Sequence, residues 1–142
     1  MPPIPSARSA VHPHVEILQA IYTDLPKIAE HAADDIVLHR ADRSVEDLRV
    51  CRGLQAVLAH EQALLRVTGD TLVMDVDHIM ANDHFGTVLG TLRATRPLPV
   101  AMPFCGLWRF ADGLIVEHWE NAYDPAALQH LFTRPVPPTT SS

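Results

Sequence analysis

The stretch Trp108-Arg109-Phe110-Ala111-Asp112-Gly113-Leu114-Ile115-Val116-Glu117-His118-Trp119-Glu120-Asn121 carries the decisive pattern of this chain. An aromatic-rich run, an Asp-Gly pair and a second apolar run predict a β-hairpin, because Asp-Gly tolerates the positive φ angles of a tight turn. The second strand starts apolar and ends His-Trp-Glu-Asn. Such a strand packs one end in a core and brings the other to a cavity or to solvent. It sets a carboxylate and an imidazole near each other, which is raw material for proton transfer.

Upstream of the hairpin, Val100 to Phe110 reads as a strand with Phe104, Gly106 and Trp108 on one face and Cys105 on the other. Pro97 and Pro99 separate it from a strand over His84 to Thr95, and Asn82-Asp83 is a turn. Leu72 to Met80 alternates: Leu72, Met74, Val76, His78 and Met80 form an apolar face with a single histidine, and Asp75 and Asp77 lie opposite.

Helical spacing dominates the first half. Val15, Ile17, Leu18, Ile21 and Tyr22 mark a helix over His14 to Thr23, and a short helix with Pro26 in its first turn follows Asp24. Asp34-Asp35 reads as a turn, Ile36 to Arg40 as a short strand, and Ser44 to Arg52 as a polar loop. Gly53 opens the longest helix, whose stripe is Leu54, Val57, Leu58, Glu61, Leu64, Leu65 and Val67, and Gly69 ends it. After the hairpin, Asp124 is an N-cap, Pro125 fills the first helical position, and a short helix closes the chain. Helices segregated from a meandering sheet predict an α+β domain.

At 142 residues and 47% hydrophobic, the chain is large enough to bury one core. A net charge of −6, with only 11 scattered Lys and Arg, argues against nucleic acid. No apolar run reaches the roughly twenty residues of a membrane span, and Met1-Pro2-Pro3-Ile4-Pro5-Ser6 lacks a signal core. Cys51 and Cys105 lack metal spacing and fit a reducing cytoplasm. Residues 1–12, with His12, are expected to be flexible, with His14 close behind in the same loose start. Residues 13–133 are expected to form one domain and residues 134–142 a disordered Pro/Ser/Thr tail. Nine histidines raise the question of a metal, yet no pair has ligand spacing. His60 and Glu61 are adjacent on a helix and are expected to face different ways. No metal or other cofactor is expected, and no Gly-x-Ser-x-Gly nucleophile motif occurs.

The element order over roughly residues 14 to 132, and the phrase Gly106 to Asn121 at motif level, resemble the SnoaL-like branch of the nuclear transport factor 2-like superfamily. The resemblance implies a cone: a strongly curved, mostly antiparallel sheet with N-terminal helices enclosing a cavity. In SnoaL-like cyclases an acid/base carboxylate sits on the last strand, seven positions beyond the turn glycine, and that count from Gly113 lands on Glu120. Parity then places Leu114, Val116, His118 and Glu120 toward the cavity and Ile115, Glu117 and Trp119 on the other face, where relatives often dimerise. Departures are equally plain. Gly106 stands where the cyclases carry a histidine. Leu89 and Thr91 stand where the epoxide hydrolases of this fold carry Arg and Asp. The paired histidines of the dehydratases have only an echo in His78 and His118.

The resemblance therefore implies Glu120 as general acid/base, with His118 as its orienting or proton-sharing partner. Phe104, Trp108, His78, Arg40 and Val116 are candidates for binding substrate; the alternatives are core packing for the two aromatics, a buried histidine satisfied by a backbone carbonyl for His78, and an exposed strand end for Arg40. A desolvated carboxylate gains basicity, so such a group can move a proton next to a carbonyl. Two functions follow: a cofactor-independent enzyme acting on a small, largely apolar carbonyl compound by cyclisation, isomerisation or dehydration, or a non-catalytic small-molecule-binding or dimeric scaffold module. The expected partners are a small apolar or aromatic ligand and a second copy of the chain joined through the convex sheet face, with neither nucleic acid nor membrane.

Overall fold

The computed structural model describes residues 11–44 and 50–133. The expected flexible start falls largely outside these residues, and the expected tail wholly outside them. Helix α1 (Pro13–Thr23) is followed by a 3-10 helix (Leu25–Glu30) and strand β1 (Ala32–His39). A 3-10 turn (Ala41–Ser44), β2 (Val50–Arg52) and helix α2 (Leu54–Val67) come next. Strands β3 (Val73–Ala81), β4 (Phe85–Ala94), β5 (Val100–Ala111) and β6 (Leu114–Ala122) then lead to helix α3 (Pro125–Thr133).

The strands form one mixed sheet in the order β2-β1-β6-β5-β4-β3. Among the described residues only the β1–β6 pairing is parallel, and it brings Leu38 beside His118 and His39 beside Trp119. The architecture is the expected α+β cone. Its core lies between the inner face of the sheet and the helices, with Leu18, Ile21, Ile28, Ile36, Leu38, Val57, Val88 and Ile115 essentially inaccessible. Each such side chain contributes roughly 1.5–3 kcal/mol by leaving water. Among the described residues, no helix is long and apolar enough to cross a membrane.

Local chemistry explains most boundaries. Asp112 and Gly113 both take positive φ, 53° and 79°, which closes β5 and β6 through a two-residue turn. Asp124 Oδ1 accepts from the Ala127 amide and caps α3. His12 caps α1: its Nδ1 accepts from the His14 amide at 3.1 Å, and its Nε2 meets Asp83 Oδ1 at 2.8 Å. His14 stacks on Phe110 at 3.8 Å between ring centroids.

Three expectations are corrected. Strand β1 begins at Ala32 and includes Asp34 and Asp35, which are exposed on the sheet rather than in a turn. The expected loop from Ser44 contains strand β2, because Val37 to His39 offer a free edge that Val50 to Arg52 pair with. Two β-bulges also shift the face alternation. The β3 register jumps between Val76 and His78, so His78 and Met80 are exposed and Ile79 turns inward. The β6 register jumps between Ile115 and Glu117 opposite Phe110 and Arg109. Ile115 is therefore fully buried, Leu114 is exposed, and only His118 and Glu120 keep the expected inward direction.

Candidate active site

The inner face of β5 builds the floor of a cavity. Met102, Phe104, Gly106, Trp108 and Phe110 alternate inward with the strand period, and Phe104, Gly106 and Trp108 border the open space. Tyr22 from α1, His60, Glu61 and Leu64 from α2, and Leu128 and Phe132 from α3 close it from above. The atom-free space between these residues is about 730 Å³, a figure that includes space open to solvent.

Glu120 lies on the cavity wall with its side chain 19% exposed. His60 Nε2 stands 3.1 and 3.2 Å from its two oxygens, and the Ala41 amide donates to Oε1 at 3.2 Å. Burial pushes the Glu120 carboxyl up, but the charge and hydrogen bond of His60, the nearby His118 and the Ala41 amide outweigh it, and the net direction is down. Glu120 is thus held ionised. Burial lowers His60 in turn, yet Glu120 more than offsets this, and His60 ends above its ordinary value.

Glu61 sits beside this pair and is 5% exposed. Its pKa is pushed up to about 8, chiefly by burial and then by repulsion from Glu120, with His60 opposing. Two carboxyls in one dry site cannot both ionise cheaply, so Glu61 keeps its proton while Glu120 gives its up.

His118 reaches the cavity but is not hydrogen-bonded to Glu120. Its Nδ1 meets the Leu107 carbonyl at 3.0 Å, and its ring stacks on Trp108 at 3.4 Å between centroids. Burial lowers its pKa to about 4, so the imidazole is neutral. With Nδ1–H donating to the carbonyl, Nε2 carries a lone pair. The orienting partner of Glu120 is His60, not His118.

Arg40, just beyond the end of β1, lines the cavity and is held by a bidentate pair with Asp42 at 3.0 and 2.8 Å. Its guanidinium lies 5.5 Å from the Phe132 ring centroid. Phe104 and Trp108 are also at the cavity. His78 and Val116 are not: His78 is turned outward by the β3 bulge, and Val116 is the residue accommodated at the β6 bulge. Leu89 and Thr91 point away from the cavity on β4 as well, whereas Val88, Gly90 and Leu92 point in.

The sequence reading missed His60, Glu61 and Asp42 as site groups. His60 and Glu61 do line the same cavity, because with Leu64 they share one arc of about 100° on α2, the width of an ordinary buried helix face. The available signal was Glu61 itself, a carboxylate inside an apolar helical stripe. Among the described residues, no group of three or more His, Cys, Asp or Glu is arranged to hold a metal ion.

Solved structures share this architecture. Bal32a, from a soil-derived mobile gene cassette, superposes with a TM-score of 0.71 at 20% identity, over 82% of this chain and 93% of its own. A candidate SnoaL-like polyketide cyclase from Jannaschia sp. CCS1 gives 0.71 at 15% identity, over 90% and 99%. TerC, co-crystallised with polyporic acid, gives 0.68 at 15% identity, over 85% and 99%. These likenesses establish the fold. No curated protein matches the sequence. The model of the SnoaL-like domain matches residues 15–118, well over half of the sequence, and with the cone and its inward-facing last strand in view, the chain belongs to the SnoaL-like family.

Proposed function

We propose that this protein is a cofactor-independent enzyme that moves a proton at the carbon next to a carbonyl, in a small, largely apolar, aromatic substrate. The observation that carries the reading is Glu120, a carboxylate on the wall of an aromatic-floored cavity, held ionised by His60 and the Ala41 amide. Glu120 acts as general base and then as acid, which is the step shared by aldol-type cyclisation, isomerisation and dehydration. His60 positions it and shares its proton. His118 supplies a neutral acceptor and an aromatic edge on the floor.

Two further assignments belong to this reading. The ligand lies against Phe104 and Trp108, with Arg40 and Phe132 bordering it. The protein works in the cytoplasm as a homodimer through the outer sheet face, where Phe85 (44%) and Leu89 (41%) are exposed. Ile115 takes no part in that face, because it is buried in the core.

The test is hydrogen–deuterium exchange at the methyl group of 2-acetylnaphthalene, followed by NMR in deuterated buffer. Wild-type protein is expected to accelerate exchange, and Glu120→Gln to reduce it by about 10²–10⁴-fold. A second reading, a small-molecule-binding module, draws on the saturation of Glu120 by neighbouring donors, as in a structural ion pair. Binding of the ketone with no exchange above buffer would select it.

A further inference from the structure

A weak base such as an ionised Glu120 can remove a carbon-bound proton only if the developing enolate oxygen is met by a donor. Several donors on the cavity wall are already engaged: Arg40 Nε and Nη2 with Asp42, His60 Nε2 with Glu120, His118 Nδ1 with the Leu107 carbonyl, and Trp108 Nε1 with Tyr22.

Tyr22 is different. Its hydroxyl oxygen accepts from Trp108 Nε1 at 3.2 Å, while its ring stacks on Phe104 at 5.6 Å and meets Trp108 edge-on at 5.9 Å. A phenol has one donor and two lone pairs. One lone pair is used, and among the described residues no acceptor stands against the proton. Gly106 makes this placement possible: a Cβ there would collide with the Tyr22 hydroxyl and lie 3.0 Å from Trp108 Nε1 and 3.4 Å from His118 Cε1. The space over Gly106 is therefore occupied by a hydroxyl brought from α1. Tyr22, Gly106, Trp108, His118 and Glu120 border one cavity.

We propose that the Tyr22 hydroxyl is the anchor for the carbonyl oxygen of an aryl ketone bound against Phe104 and Trp108. It donates a hydrogen bond that strengthens as that oxygen gains enolate charge. Glu120 takes the proton from the α-carbon, the C–H electron pair becomes the new C=C bond, and the carbonyl π pair moves onto the oxygen held by Tyr22. Return of the proton to carbon reverses every step. Burial raises the Tyr22 hydroxyl well above the ordinary phenol range, with Glu61 and Glu120 adding to the effect and Trp108 opposing it, so the group remains a neutral donor. Donation from Trp108 to the same oxygen polarises the O–H further. Glu61 is a donor only while protonated, whereas Tyr22 is one throughout the physiological range.

The proposed base sets the direction of proton movement, so the catalytic part of this inference rests on that reading; the anchoring part does not. The experiment measures the dissociation constant and the infrared carbonyl stretch of bound 2-acetylnaphthalene in wild type, Tyr22→Phe, Gly106→Ala and Glu120→Gln. The stretch is expected to fall below its hydrocarbon-solvent value in wild type and Glu120→Gln. In Tyr22→Phe it returns to that value, with about tenfold weaker binding. Gly106→Ala, which displaces the hydroxyl, should reproduce Tyr22→Phe, with thermal melting confirming that it folds. An identical stretch and affinity in wild type and Tyr22→Phe overturns the anchor, as does failure of the ketone to bind wild type. Exchange lost in Glu120→Gln with no carbonyl shift in Tyr22→Phe retires the anchor and leaves the base. A shifted carbonyl with no exchange does the reverse.

Discussion

His60 Nε2 stands 3.1 Å from Glu120 Oε1, joining the middle of helix α2 to the end of the last strand across sixty positions of sequence. Removing the imidazole takes away the largest influence that lowers Glu120. In His60→Gln, the acid limb of the pH profile for ketone exchange is expected to move to higher pH, with kcat falling about 10–100-fold. A purely structural role for His60 would lower the amount of folded protein without moving that limb.

Glu61 predicts an unusual pH dependence of stability. Its folded pKa of about 8 lies above the 4.5 of an ordinary glutamate, so the folded state retains a proton that the unfolded state has lost. Its stabilising contribution is full below about pH 4.5 and disappears as pH rises through about 8. His60, also raised, acts in the same direction. Urea denaturation should show stability declining between about pH 6.5 and 8, and Glu61→Gln should flatten that decline.

His118 acts with the opposite sign. Its folded pKa of about 4 lies below the 6.5 of an ordinary imidazole, so its contribution is full above about pH 6.5 and is lost as pH falls toward 4. Nitrogen-15 NMR should find the ring neutral with the proton on Nδ1 at pH 6. A charged ring at that pH would contradict the burial argument.

Gly90 faces the bulged segment of β3. A Cβ at this position would collide with the Asp75 carbonyl and come within 2.9 Å of the Phe104 ring. Gly90→Ala is expected to destabilise the fold by about 1–3 kcal/mol through overpacking, measured by denaturant melting. Unchanged stability would mean that the bulge yields freely.

The exposed Phe85 and Leu89 lie on the outer face of β4, the surface assigned to dimerisation. Analytical ultracentrifugation should find the wild type dimeric and Leu89→Lys shifted toward monomer. A wild-type monomer at micromolar concentration would remove the dimer from the proposal.

Local signals were legible where one turn or one period decides the structure. The Asp112-Gly113 turn, the Asp124 cap and the shared face of Phe104, Gly106 and Trp108 were readable from neighbouring residues, whereas the inward direction of that face and the choice of Glu120 came from the family resemblance. The bulges were not, because an extra residue in a strand is fixed by its partner across the ladder. That is why His78 and Val116 were assigned to the cavity and Ile115 to the outer face. Strand β2 escaped notice because three residues gain their ladder only when β1 offers an edge.

By itself, the sequence determined the α+β class, the final hairpin and a chemically capable residue at its end, because caps, turns and alternation act over a few residues. The tertiary structure decided how that residue is held. It chose His60 over His118 as the partner of Glu120, split the two carboxyls into one ionised and one protonated, and brought Tyr22 over Gly106. Those outcomes depend on burial and on distances between segments far apart in the chain, and electrostatic coupling follows distance in space rather than separation in sequence.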